Sequence, residues 1–235
     1  MKLERLFTPI TINGMTLKNR AVMPAMGTGY GNPDGTISDR LIAYLARRAQ
    51  GGTGLIITEI CAVDPRGKAF PNQIGAWSDS FLPGLTGLAA AIHREGGKIA
   101  LQLHHAGRET FEQAAGAVPE APSAIPSAVL GQPCEAMSSE RIADVIGAFA
   151  GAAARAKKTG FDAVEIHSAH GYLLNQFLSP FSNHRTDLYG GSEENRSRFV
   201  VEILSEARKA AGPGFPIIIR VSTDELIRGG YDLEF

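Results

Sequence analysis

Short apolar runs alternate along the chain with amphipathic stretches that repeat every three to four residues. Five of the runs have strand length, and they predict strands at 21–23, 54–59, 98–103, 162–167 and 216–221. The stretches between them predict helices over about 38–50, 84–95, 139–159 and 193–211. Serines stand at three N-cap positions and glycines follow three helix ends, namely Ser38, Ser138, Ser192, Gly51-Gly52, Gly96-Gly97 and Gly160.

An N-terminal hairpin is predicted ahead of the first strand. Residues 8–17 alternate apolar and polar side chains around Asn13-Gly14. An Asn-Gly pair is the strongest short hairpin signal, because both central residues of the turn take positive φ. We expect this hairpin to be a structural lid or plug for the domain.

Strands that alternate with helices and are almost continuously apolar predict a parallel sheet covered by helices. Two α/β architectures compete, an open doubly wound sheet and a closed (β/α)8 TIM barrel. Residues 27–31 follow the first strand but miss the G-x-G-x-x-G spacing, and Glu59 is poorly placed for a ribose. Gln102, His167 and Arg220 instead fall at or near the carboxyl ends of strands, where barrel active sites are built. The sequence therefore favours a TIM barrel, with residues 1–235 as a single partial domain.

Length limits how much of a barrel the sequence contains. Five units of about 45 residues use nearly the whole chain, and eight would need roughly 350 residues. We expect the first five of eight units, with sheet edges open to aggregation or to pairing with another copy as a homo-oligomer. The missing units leave a second interpretation open, a truncated, non-catalytic barrel fragment that only folds or associates.

Composition excludes several classes of partner. The 235 residues are 44% hydrophobic and 20% charged, with a formal net charge of −1. This balance suits a soluble globular domain and gives no electrostatic reason to expect nucleic acid or an anionic membrane as partner. No apolar run approaches the roughly 20 residues that span a bilayer, and the start lacks a secretory signal. Cys61 and Cys134 match no metal or redox spacing, which together with these features predicts a cytoplasmic protein with free thiols.

The densest chemical signal follows the fourth strand, where His167, His170 and Tyr172 lie within six residues. Two imidazole N–H groups could hold one carbonyl oxygen while a phenol supplies a proton, as conjugate reduction requires. The histidines could instead ligate zinc, for which a catalytic site needs a third protein ligand, or could be structural residues at a helix start. The residues alone leave all three possibilities open.

Two further polar residues interrupt apolar strands. The Gln102 amide could match the donors and acceptors of a flavin pyrimidine ring, or could make an internal hydrogen bond of the barrel. Inside a barrel the Arg220 guanidinium needs an anion or several acceptors. It could face the charge that develops at flavin N1 and O2 on reduction, or form a salt bridge with Glu165 or Glu59.

Longer motifs resemble the Old Yellow Enzyme family of FMN-dependent NAD(P)H ene-reductases, and the resemblance covers essentially the whole chain. The matching segments are Leu6-Phe7-Thr8-Pro9, residues 17–26, Gln102-Leu103-His104-His105-Ala106-Gly107-Arg108, residues 167–172, residues 178–192 and Ile219-Arg220-Val221-Ser222. The resemblance implies FMN as cofactor, NADH or NADPH as hydride donor and a small-molecule enone or enoyl substrate that shares the nicotinamide's place on the flavin.

The resemblance also implies roles for individual residues. His167 and His170 would hold the substrate's carbonyl oxygen, and Tyr172 would protonate the carbon beside it. The residues implied at the flavin are Pro24, Ala25, Met26 and Gly27 through their backbone, Ile60 near the ring, Gln102 at the pyrimidine edge and Arg220 at N1 and O2. Asn183, Arg185 and Asp187 would be structural ties of the active-site loop.

The chain departs from the family pattern at Gly27, where many relatives carry Cys or Thr against the flavin. Either Thr28 takes over as a substrate contact or the site is tuned differently. Residues 26–28 and 62–67 resemble a multidomain branch that adds an iron–sulfur cluster and a second flavin domain. The family holds the FMN phosphate with loops after strands seven and eight, so we expect residues 1–235 alone to retain FMN weakly or not at all.

Overall fold

The five predicted strands form one parallel sheet in the computed structural model, which describes residues 3–235. Its strands are β3 (Val22–Met23), β4 (Leu55–Ala62), β5 (Lys98–His104), β8 (Ala163–Ser168) and β9 (Ile217–Val221), while β6 (Glu120–Ala121) and β7 (Glu135–Ala136) form a separate short parallel pair. The sheet order is β3-β4-β5-β8-β9, and all of its pairs are parallel. The helices are α1 (Asp39–Gln50), α2 (Leu82–Arg94), α3 (Glu112–Ala115), α4 (Ser139–Lys158), α5 (Leu173–Leu178) and α6 (Glu193–Ala211).

Each of the four long predicted helices forms within two residues of its expected ends. Ser38, Ser138 and Ser192 cap α1, α4 and α6 with side-chain oxygens that accept backbone N–H groups, as predicted. Past three helix ends the chain turns through left-handed glycines, Gly52 at φ 99°, Gly96 at φ 68° and Gly160 at φ 85°. These capping residues fix where each helix begins and where it ends before the next strand.

The N-terminal hairpin pairs β1 (Ile10–Ile12) with β2 (Met15–Leu17) in antiparallel register, as predicted. Of the two turn residues only Asn13 has a positive φ, 49°, so the expectation that both would is wrong. Gly14 is needed for a different reason, because an added Cβ would lie 2.6 Å from the carbonyl oxygen of Gly214. Met15 and Leu17 pack with Leu55, Ala100 and Ala163, which makes the hairpin a plug under the sheet.

The sheet has two apolar faces of different extent. Its outer face carries side chains such as Ile99, Leu101 and Val164, which join the main core beneath α1, α2, α4 and α6. Its inner face is apolar only near the amino ends of the strands, where Ala100 and Ala163 meet the hairpin. Period-two alternation then brings polar side chains onto the same inner face closer to the carboxyl ends.

A register shift in β4 sets the inner face of that strand. Ile57 packs in the inner cluster and pairs with Ala100, whereas the next paired residue, Ile60, lies opposite Gln102. The two isoleucines are three residues apart and would otherwise face opposite ways, so the irregularity at Thr58 and Glu59 restores the alternation. Within residues 3–235 no helix is both long and apolar enough to cross a membrane.

Candidate active site

Polar side chains gather on the inner face at the carboxyl ends of three neighbouring strands. Strand pairing sets Gln102 opposite Glu165 and His167 opposite Arg220. His104, two residues after Gln102, has its ring centroid 5.6 Å from that of His167. The predicted convergence of Gln102, His167 and Arg220 at one rim of the sheet is therefore present in the structure.

His167 and His170 lie with ring centroids 5.0 Å apart and ring planes perpendicular. His167 is 3% exposed, and its Nδ1 accepts the backbone N–H of Ala169 at 3.3 Å. This bond occupies the Nδ1 lone pair and leaves the proton on Nε2, which becomes a donor. His170 has a left-handed φ of 60°, and its backbone N–H donates to Ser222 Oγ at 3.1 Å, which ties the loop to the end of β9.

Both histidines are neutral at physiological pH. Burial, reinforced by His170 and Arg220, lowers the pKa of His167 to about 3. The pKa of His170 is also lowered, by burial and by the Arg220 charge. A neutral imidazole with its proton on Nε2 can hold an oxygen by hydrogen bonding without transferring that proton.

Tyr172 stands beside these rings, with its centroid 5.2 Å from His167 and 4.4 Å from His104. Its pKa is raised, first by burial and then by the Glu109 carboxylate. The phenol therefore keeps its proton across the neutral range. The structure brings together all three members of the predicted His167, His170 and Tyr172 cluster.

Gln102 is 1% exposed and donates its Nε2 to Glu165 Oε1 at 2.6 Å. This is the internal hydrogen bond that the sequence allowed as an alternative, but it uses only one end of the amide. Because Nε2 points to the carboxylate, the Gln102 carbonyl oxygen is left as the acceptor. Burial raises the pKa of Glu165, against the effects of Gln102 and Arg220.

Arg220 makes neither of the salt bridges that the sequence allowed. Glu165 lies in register with Ile218, one row below Arg220, and Glu59 turns toward the loop after β3. Among residues 3–235 the Arg220 guanidinium has no hydrogen bond and no ion pair. A half-buried cation with no partner here is suited to receive an anion or several acceptors from a ligand.

The loop after β3 borders the same rim. Pro24, Met26 and Gly27 are exposed, while Ala25 packs against the inner cluster. Thr28 is tied down, since its backbone N–H donates to Glu59 Oε2 at 2.7 Å and its hydroxyl donates to the same oxygen. That hydroxyl also accepts the N–H of Tyr30, so the role of Thr28 as a substrate contact stays a prediction.

Polar ties hold the loop that follows α5. Asn183 Nδ2 donates to the carbonyl oxygens of Phe177 and Tyr189 at 2.7 Å. Arg185 donates to the Pro122 and Met137 carbonyls and pairs with Asp187 at 2.5 Å. These contacts agree with the structural role that the resemblance implied for the loop.

A buried ion network lies behind the rim and was missed in the sequence. Glu120, 3% exposed, receives Arg141 through contacts of 2.6 and 3.0 Å, with Arg66 at 3.4 Å and His105 Nε2 at 3.1 Å. Arg141 also reaches Asp64 at 3.0 Å. Burial would raise the pKa of Glu120, but the bonds from His105 and Arg141 outweigh it and bring the pKa to about 2.

The sequence also did not indicate that His104 and Glu59 lie close to the site. The alternation that places Gln102 inside the sheet places His104 there too, so a signal for His104 was available. Glu59 gave no comparable signal because its direction depends on the irregularity in β4. Within residues 3–235 no three His, Cys, Asp or Glu side chains cluster as metal ligands, and both cysteines are free thiols.

Comparison with known proteins matches residues 5–234 to the model of the NADH:flavin oxidoreductase / NADH oxidase family. A NADH oxidase of Thermoanaerobacter brockii is 45% identical over 231 residues, covering 97% of this chain and 36% of that protein. A NADPH dehydrogenase of Bacillus subtilis is 44% identical over 231 residues, covering 98% of this chain and 67% of that protein. The chain thus spans about one third of the first relative and two thirds of the second.

The fold matches that of a solved 2-naphthoyl-CoA reductase in complex with 2-naphthoyl-CoA. The TM-score is 0.95 at 36% identity, with 98% of this chain and 37% of the other chain covered. The parallel sheet with helices on its outer face is part of a (β/α)8 barrel, which confirms the predicted fold class.

Proposed function

Because the chain belongs to the NADH:flavin oxidoreductase / NADH oxidase family, we propose that its site reduces carbon–carbon double bonds conjugated to a carbonyl group. The family is FMN-dependent and uses NADH or NADPH. The observation that carries the proposal is the cluster of His167, His170 and Tyr172, two neutral imidazoles and a protonated phenol on one rim. Bound FMN would supply the hydride chemistry, since it can accept a hydride from NAD(P)H and pass it to the substrate.

The residues at the rim fit a flavin. The Gln102 carbonyl oxygen is an acceptor suited to a ring N–H, and Arg220 offers a cation without a protein partner among residues 3–235. Gly27 leaves room beside the β3 loop, because an added Cβ would meet no atom within 4 Å. Pro24, Ala25 and Met26 would border the ring through their backbone, and Ile60, in register with Gln102, would lie below it.

Each side chain at the rim would have a separate role in the proposed reaction. Nε2 of His167, with His170 beside it, would hold the carbonyl oxygen and so draw electron density from the conjugated double bond. Tyr172 would give its proton to the carbon next to the carbonyl while hydride reaches the carbon beyond it. Arg220 would offset negative charge at the pyrimidine end of the flavin, and the apolar inner cluster with the hairpin would keep water from below.

The test is anaerobic turnover of the FMN-loaded protein with NADH or NADPH and a simple cyclic enone, with the saturated ketone as control. We expect consumption of NAD(P)H to depend on the enone, with the saturated ketone as product. If NAD(P)H reduces the flavin but only dioxygen, and not the enone, reoxidises it, the protein is a flavin-dependent oxidoreductase and the proposed reduction of carbon–carbon double bonds is wrong. Because residues 1–235 alone are expected to retain FMN weakly or not at all, the assay uses saturating FMN, and only a protein that also carries the phosphate-binding loops and still binds no FMN would refute the site itself.

Glu165 provides a test of how Gln102 faces the flavin. Glu165→Leu removes the acceptor that fixes the Gln102 amide, and we expect FMN affinity to fall about tenfold, the value of one buried hydrogen bond. Glu165→Gln keeps an acceptor oxygen at the same position and should bind FMN within about threefold of the parent. Titration of FMN by fluorescence quenching measures both, and equal losses in the two variants would contradict the assigned orientation.

A further inference from the structure

His104 is the third imidazole at the rim, and it lies deeper than the other two. It ends β5 and is fully buried, with its ring nearly perpendicular to that of Tyr172 at a centroid distance of 4.4 Å. His167 lies on its other side at 5.6 Å. The proposed reaction does not use this imidazole.

The hydrogen bonds of Gln73 fix which nitrogen of His104 carries the proton. Gln73 Oε1 accepts the backbone N–H of Ala69 at 2.6 Å, so the Gln73 amino group faces His104 Nδ1 at 3.1 Å. Since an amino group can only donate, Nδ1 must hold the lone pair and Nε2 the proton. Burial, then the neighbouring His167 and His105, keeps the pKa of His104 well below its ordinary value, so the ring is neutral.

The proton on Nε2 has no acceptor among residues 3–235, although the atom is shielded from solvent. A buried donor without a partner is unfavourable, and such groups in folded proteins call for a functional or structural reason. Gln73 occupies Nδ1, so Nε2–H is the group of His104 that remains available, and the aromatic rings packed around His104 are those of Tyr172 at 4.4 Å and His167 at 5.6 Å.

We propose that His104 is a positioning residue for Tyr172, which packs against its ring and whose phenolate its Nε2–H stabilises after proton transfer. The inference rests on the proposed role of Tyr172. In that step the phenol O–H bond breaks, the new C–H bond forms at the carbon beside the carbonyl, and the electron pair stays on the phenol oxygen. Water restores the proton after the product leaves.

Other charges around Tyr172 show why a neutral donor matters there. The Glu109 carboxylate opposes a phenolate at Tyr172, while His167 and His170 are neutral and so provide no positive charge to offset it. In the proposed reaction the two neutral histidines donate to the substrate's oxygen, so His104 is the imidazole left to serve the phenolate. It acts through Tyr172 and does not touch the substrate.

The central test is His104→Phe, which keeps an aromatic ring against Tyr172 and removes the N–H. In the FMN-loaded protein we expect enone reduction to slow about tenfold, less than the loss of a direct oxyanion donor, with flavin reduction by NAD(P)H unchanged. The basic limb of the pH profile of enone reduction should move to higher pH. If the ratio of the rate of enone reduction to the rate of flavin reduction were the same in His104→Phe as in the parent, the proposal would be overturned.

Two measurements that need no turnover separate this proposal from the proposed function. Histidine 15N spectra of the parent should show the Nε2–H form for His104, and Gln73→Met, which leaves the ring in place, should relax that preference. The 13Cζ signal of Tyr172, assigned with Tyr172→Phe, should titrate at higher pH in His104→Phe. If both hold while enones are not reduced, only the reaction is wrong; an Nδ1–H form of His104 or an unmoved Tyr172 signal overturns the role of His104.

Discussion

Replacing Tyr172 with phenylalanine is expected to slow enone reduction by about 10²–10⁴-fold, the contribution of a positioned general acid. The parent phenol is protonated and available because burial and Glu109 raise its pKa. Phenylalanine keeps the ring against His104 and His167 but has no proton to give. Reduction of the flavin by NAD(P)H should be unaffected, since that step takes no proton from Tyr172.

Rapid-mixing measurements of the two half-reactions would check this difference. Tyr189→Phe is the matched control, because it also replaces a tyrosine by phenylalanine. Tyr189 lies in the loop before α6, outside the proposed cluster, and its phenol donates to Glu202 of α6 at 2.9 Å. It should leave both half-reactions at the parent rate. If Tyr172→Phe instead slowed flavin reduction and left enone reduction intact, Tyr172 would serve the nicotinamide and the assignment would fail.

The fold could be predicted from sequence because its signals are local. Serine caps, left-handed glycines and two hydrophobic periods each depend on a few neighbouring residues, and they place the long helices correctly. The Asn13-Gly14 turn shows the limit of such signals. Its hairpin forms as predicted, yet Gly14 is required by contact with Gly214, about 200 residues away, which no local pattern contains.

The site was predictable to the level of strand ends but not of individual contacts. Whether Arg220 meets Glu165 depends on the register of β9 against β8, which pairs Glu165 with Ile218 instead. Glu59 reaches Thr28 only because the irregularity in β4 redirects it. Contacts of this kind arise from pairing between strands that are far apart in sequence. The residue types therefore limited the possible partners of Gln102 and Arg220 but did not identify the partner that each one has in the structure.

Replacing Arg141 with methionine is expected to lower the free energy of unfolding by about 3 kcal/mol, the low end for breaking a buried ion pair. Arg141 holds Glu120 with three hydrogen bonds from the first turn of α4, and Glu120 is almost fully buried. The low end applies because Arg66 and His105 stay within 3.4 Å of the carboxylate. Urea unfolding at neutral pH measures the change.

The same variant should change how stability depends on pH. In the parent, hydrogen bonding lowers the pKa of Glu120 from 4.5 to about 2, so its contribution is full above pH 4.5 and is lost as the pH falls toward 2. Without Arg141 the pKa of Glu120 rises from its parent value, because only the His105 and Arg66 contacts remain to oppose burial, so the ionised carboxylate then contributes less to stability. The difference in stability between parent and variant should therefore be largest at neutral pH and should shrink on acidification.

A second substitution separates the charge from the packing of the arginine. Glu120→Gln in the Arg141→Met background removes a buried charge that has lost its three hydrogen bonds from Arg141, and we expect it to restore about 1 kcal/mol or more. Arg155→Met, on the same helix, breaks an ion pair whose partner Asp79 is largely exposed and should matter much less. If the double variant were no more stable than Arg141→Met, the loss would come from packing of the arginine side chain, and the buried network would contribute no coupling energy.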